Sequence, residues 1–174
     1  MSTPRWVFLV APGLVGVAFQ SFAQVGPYLG LPATSEQISQ WDVDIESDGS
    51  GLPPGSGSVT EGKIVYEAQC LVCHGSEGQH GMNDRLVGGQ GSLNSEEPVK
   101  TIGSFWPYAT TIFDYVRRAM PYTQPQSLTD DQVYAVSAYL LYLNGIIDDD
   151  TVVNAQTLPD VQMPNRDNFV RAIP

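Results

Sequence analysis

Cys70-Leu71-Val72-Cys73-His74 contains both cysteines of the chain and one of its two histidines. Two thiols three residues apart fall on one turn of a helix, where each can add across a vinyl group of the same porphyrin and form a thioether. The histidine that follows is then held beneath the iron as its proximal ligand. This chemistry needs the two cysteines and the histidine in that order, which makes the signal specific. The competing chemistries use fewer of the residues. A dithiol redox pair calls for a preceding strand and a βαβ setting that the sequence does not offer. A zinc site built from Cys70, Cys73, His74 and His80 has to fit the adjacent Cys73 and His74 around one tetrahedral ion. A disulfide across two residues would be strained and would close a trivial loop. The expected cofactor is therefore one covalent haem c.

Upstream, Ser58 with Glu61 three residues on makes a capping box, so a helix is expected to begin there and run into the haem motif. Gly62 and Tyr66 lie one turn apart on one face of it, so a second helix can approach closely at the glycine. Downstream, Gly75, Gly78, Gly81, Gly88, Gly89 and Gly91 punctuate a segment with neither helical nor strand periodicity. It reads as a loop able to lie against a flat macrocycle. His74 needs an acceptor for its other ring nitrogen, and a carbonyl of this loop is the expected partner.

The stretch Thr101–Thr110 is rich in aromatic and hydroxyl side chains and leads into a helix through Ile112, Tyr115 and Val116 that Pro121 stops. Trp106 and Tyr108 combine an apolar body with a donor, as a haem edge with propionates requires, although ordinary core burial explains them equally well. Arg85, Arg117 and Arg118 are further propionate candidates. For the sixth iron ligand the sequence favours Met120, which stands before Pro121 at a helix end well beyond the glycine loop. Met82 and His80 are too close to His74 in the chain, and Met163 lies in a tail that reads as peripheral. A third helix is marked by Thr129 with Gln132, by Asp130 and Asp131 in its first turn, and by Gly145 at its end. Val133, Val136, Leu140 and Leu143 give it one apolar face, the expected partner of Gly62 and Tyr66.

The flanks differ in kind. Residues 1–23 have the form of a secretory signal, with Arg5 ahead of an apolar run and Ser21 and Ala23 before a cut expected after Ala23. The apolar run is shorter than a spanning helix needs, and no membrane span is expected after cleavage. Residues 24–57 read as an extended arm and linker, with a strand-like alternation at Trp41, Val43 and Ile45. Residues 58–147 form the haem domain. Residues 148–174, opening on Asp148 to Asp150, read as a tail wrapped over the surface. The chain carries 8 Lys and Arg against 19 Asp and Glu, a net charge of −11. That balance argues against nucleic acid and anionic membrane surfaces as partners.

With these elements in place, residues 58–147 resemble a class I c-type cytochrome, which implies an all-α domain with extended arms on both sides. Three stretches resemble, more narrowly, the cytochrome subunit of bacterial sulfite and sulfane dehydrogenases of the sulfur-oxidation (Sox) type. The first is Trp41-Asp42-Val43-Asp44-Ile45 with Gly51-Leu52-Pro53. The second runs Val99-Lys100-Thr101-Ile102-Gly103-Ser104-Phe105-Trp106-Pro107-Tyr108-Ala109-Thr110-Thr111 and on through Arg118-Ala119-Met120-Pro121. The third is Met163-Pro164-Asn165-Arg166-Asp167. The resemblance implies a periplasmic carrier of single electrons, ligated by His74 and Met120 and not catalytic by itself. Its partners would be a molybdenum-pterin dehydrogenase subunit that oxidises sulfite or a sulfane sulfur, and a downstream cytochrome. Where many class I cytochromes have a proline in the loop after the haem motif, this chain has Asn83-Asp84-Arg85. A freely diffusing shuttle, or a haem enzyme or gas-binding protein with an open iron position, are the alternative uses of the same site.

Overall fold

The computed structural model describes residues 30–170, so the expected signal segment 1–23 lies outside the described residues. In chain order the elements are α1 (Ser35–Ser39), β1 (Ser56–Ser58), α2 (Val59–Gln69), α3 (Leu71–His74), α4 (Ala109–Ala119), α5 (Asp130–Leu143) and β2 (Val152–Asn154), followed by a 3₁₀ turn at Leu158–Asp160. Helices α1, α2 and α5 each start on a reciprocal capping box, Thr34 with Gln37, Ser58 with Glu61 and Thr129 with Gln132. At α2 the Glu61 N–H donates to Ser58 Oγ at 3.2 Å, and the Ser58 N–H donates to Glu61 Oε2 at 2.9 Å. Two amide donors that a helix start leaves without partners are thereby satisfied. Helix α5 ends in a Schellman motif: Gly145 N–H donates to Tyr142 O at 2.8 Å and Ile146 N–H to Leu141 O at 3.0 Å.

Helix α5 is the centre of the molecule. The single apolar face expected from its sequence is an underestimate, because every residue from Val133 to Leu141 is buried. The small residues Ala135, Ser137 and Ala138 fill the positions between the larger apolar ones, so α5 can be covered on all sides. Helix α2 lies against it at Gly62, where a Cβ would run into the Ala135 carbonyl. The rings of Tyr66 and Tyr139 meet beside that crossing, 5.4 Å apart. Helix α4 supplies a more ordinary stripe, Ala109, Ile112, Phe113 and Val116, at helical spacing. Phe113 packs on Tyr134 of α5 at 4.4 Å between ring centroids, and Tyr134 Oη donates to Pro53 O at 2.8 Å.

The two flanks of the helical region depart from their sequence description. Strands β1 and β2 pair antiparallel, Gly57 opposite Val153, so the start of the tail is stitched to the start of α2. Val153, Leu158 and Met163 are buried in the main core. The tail is thus part of the core rather than a peripheral wrap, because its apolar residues are spaced to fall inward one at a time, a pattern without periodicity. Further along, Asn165 Nδ2 donates to Phe105 O at 2.8 Å. On the other flank, residues 41–46 form no strand, since no segment among the described residues pairs with them. Val43 and Ile45 are nevertheless half-buried while Trp41 is 83% exposed.

Candidate haem-binding site

Cys70 closes α2 and opens α3, its N–H donating to Tyr66 O at 2.8 Å and its carbonyl accepting from His74 N–H at 2.9 Å. The short helix α3 therefore presents Cys70, Cys73 and His74 from one turn, all half-buried, with Val72 exposed between them. Gly75 ends α3 at φ 79°, in the left-handed region that a side chain disfavours. Its carbonyl accepts from Tyr66 Oη at 2.8 Å, which ties the turn back to α2. The loop then folds under α3: Asn83 N–H donates to Cys73 O at 2.9 Å, and a Cβ on Gly81 would collide with that same carbonyl.

His74 Nδ1 lies 2.9 Å from Asp84 O. A carbonyl only accepts, so Nδ1 carries the proton and Nε2 keeps a free lone pair for a metal. Sequence reasoning expected a loop carbonyl here without saying which. That carbonyl belongs to Asp84, in a segment that has no proline.

Burial pushes the Cys70 thiol up to about 11, and the neighbouring Cys73 adds to the rise. A redox dithiol needs the opposite shift, a thiolate at neutral pH. Among the described residues no three His, Cys, Asp or Glu side chains converge as a metal-ion cluster, so Cys70, Cys73, His74 and His80 are not assembled as a zinc site.

Met120 caps α4 with an extended backbone, its N–H still bonded to Val116 O at 3.0 Å, and its side chain is half-buried at the core margin. The other sulfur and nitrogen candidates are placed elsewhere. Met82 is 77% exposed and His80 is exposed, whereas Met163 is 4% exposed inside the core. Cys70, Leu71, Leu86, Trp106, Met120 and Leu128 are among the partly buried side chains packed against the core. Two thiols, an imidazole whose Nε2 is free and a thioether are the donor set that haem c takes. Trp106 packs edge-on against Tyr115, 5.8 Å between centroids. Arg166 of the tail sits over the Tyr108 ring at 5.6 Å, and Arg85 is exposed. Arg117 and Arg118 are engaged with Asp130, and with Asp44 and Asp114, respectively.

Comparison with known proteins agrees with this geometry. The family model of cytochrome C oxidase, cbb3-type, subunit III matches residues 57–140. A chain in the crystal structure of the sulfane dehydrogenase SoxCD from Paracoccus pantotrophus is 43% identical, with a TM-score of 0.78 over 86% of this chain and 73% of that one. The chain belongs to the c-type cytochromes. This cytochrome carries covalent haem c in a class I cytochrome c-like fold, and its role is electron transfer rather than catalysis of its own. Among its described residues no helix is long and apolar enough to cross a membrane.

Proposed function

We propose that this cytochrome is the haem subunit of a periplasmic sulfur-compound dehydrogenase, taking single electrons from a molybdenum-pterin subunit that oxidises a sulfane sulfur or sulfite and passing them to a downstream cytochrome. The observation that carries the reading is the extent of the SoxCD match. The generic haem-domain model stops at residue 140 and covers about half of the chain. The SoxCD likeness covers 86%, so it takes in much of the flanking arm and tail as well.

The haem supplies a one-electron couple. The protein's part is to hold and tune it. Cys70 and Cys73 provide the two thioether sulfurs. His74 offers Nε2, with its tautomer fixed by Asp84 O, and Met120 offers its thioether sulfur. His74 and Met120 would hold the iron between an imidazole and a thioether, a ligand pair that would raise its potential, as suits an electron acceptor.

The test is purification of the native cytochrome from its source cells under mild conditions, followed by addition of thiosulfate-derived sulfane or of sulfite. The proposal predicts a molybdenum protein in the same complex and reduction of the haem on adding the sulfur compound. A cytochrome that purifies alone, and that stays oxidised when recombined with the molybdenum fraction and substrate, contradicts it.

A further inference from the structure

Asn144, the residue directly after α5, is 7% exposed, and none of the haem-ligand chemistry uses it. Its Nδ2 donates to Leu140 O at 2.8 Å and to Leu86 O at 3.2 Å, and its Oδ1 accepts from Gly88 N–H at 3.2 Å. Its main-chain carbonyl accepts from Gln90 Nε2 at 3.0 Å. Nitrogen meets carbonyls and oxygen meets an N–H, so the orientation of the amide is fixed by its partners. All but the Leu140 bond reach the glycine loop. Gly103 closes the pocket from the other side, where a Cβ would run into Oδ1. A buried amide is costly unless fully bonded, so an apolar residue would serve packing better; what the amide adds is its hold on the loop.

Leu86 is the point where that hold reaches the haem ligand. Its N–H donates to Gly78 O at 2.8 Å, and its carbonyl takes Ile102 N–H at 3.3 Å as well as Asn144. Asp84, whose carbonyl accepts from His74, is itself exposed and lies between two anchors: Asn83 N–H on Cys73 O, and Leu86 on Asn144.

We infer that Asn144 is a positioning residue for the proximal ligand. By fixing Leu86 it keeps the Asp84 carbonyl on His74 Nδ1 and so sets how strongly the imidazole donates to the iron. The inference rests on His74 being that ligand. A carbonyl acceptor on Nδ1 raises the basicity of the imidazole and favours the oxidised iron. Loosening the contact therefore raises the reduction potential.

The test uses the mature holo-cytochrome. Asn144→Ala is expected to retain covalent haem, to shift the potential upward, and to move the proximal-histidine ring resonances in the paramagnetic NMR spectrum of the oxidised protein. Ser137→Ala is the comparison: it removes a buried hydroxyl that donates to Val133 O at 2.7 Å within α5. It should lose stability and leave both readouts at wild-type values. Should Asn144→Ala fail to accumulate, Asn144→Ser, whose hydroxyl can take over the Leu140 carbonyl one turn back, is read in the same way. Wild-type potential and ring resonances in the Asn144 variant overturn the proposal, as do equal shifts in Ser137→Ala. A wild-type protein whose haem lacks a histidine ligand overturns the ligand assignment and this proposal together.

Discussion

The two candidate iron ligands are held by different means. His74 is fixed by main-chain hydrogen bonds: Cys70 O behind it, Asp84 O on its ring, and Asn83 on Cys73 O beneath it. Met120 is placed by the end of α4, by packing at the core margin, and by ion pairs at the surface of the preceding turn, the half-buried Arg117 with Asp130 and the exposed Arg118 with Asp44, each at 3.4 Å. Surface pairs of this kind contribute about 0–1 kcal/mol each. The proximal side is thus a rigid cradle folded from a loop, and the Met120 side is a consequence of where a helix stops. Loss of the thiols on the first should abolish assembly, whereas loss of the thioether on the second should alter the centre and leave it assembled.

The largest expected effect sharpens that contrast at the attachment points. Cys70→Ala and Cys73→Ala each remove one thioether, and the double variant should carry no haem that survives a denaturing gel. A haem-stained band in the double variant would break the account of the proximal side. The next effect falls on the scaffold that both ligands share. Gly62→Ala forces a methyl against the Ala135 carbonyl at the α2–α5 crossing. It should destabilise the protein by about 1–3 kcal/mol in denaturant melts, with the visible spectrum unchanged as long as the protein is folded.

The smallest effect is a matter of alkaline pH. Burial pushes Tyr66 and Tyr134 up to about 12. Their folded-state values lie above the unfolded value near 10, so their contribution to stability is complete below about pH 10 and is lost as pH rises toward 12. Absorbance titration should show Tyr66 and Tyr134 ionising only as the protein unfolds. Cys70 takes no part in the holo-protein, where its sulfur is a thioether.

The haem motif and the helices beside it were legible in the sequence because each carries a local signal: the order Cys70, Cys73, His74, the boxes at Ser58 and Thr129, and the close-approach glycine at 62. What escaped had none. The role of Asp84 depends on its carbonyl, which every residue has, so only the folded loop can reveal it. Met163 and Leu158 enter the core singly from an aperiodic tail, and Asn144 reads as an ordinary helix end until its partners at Leu86 and Gly88 are seen. The alternation at Trp41 to Ile45 suggested a strand, but a strand also needs an edge to pair with, and none is present among the described residues.

The most direct test of the central claim, a haem held between His74 and Met120, is the absorption spectrum of Met120→Ala. The account predicts a variant with full covalent haem that has lost the sulfur-to-iron charge-transfer band of the oxidised protein, has a lower potential, and binds carbon monoxide when reduced. A charge-transfer band that persists unchanged at normal haem content would contradict it.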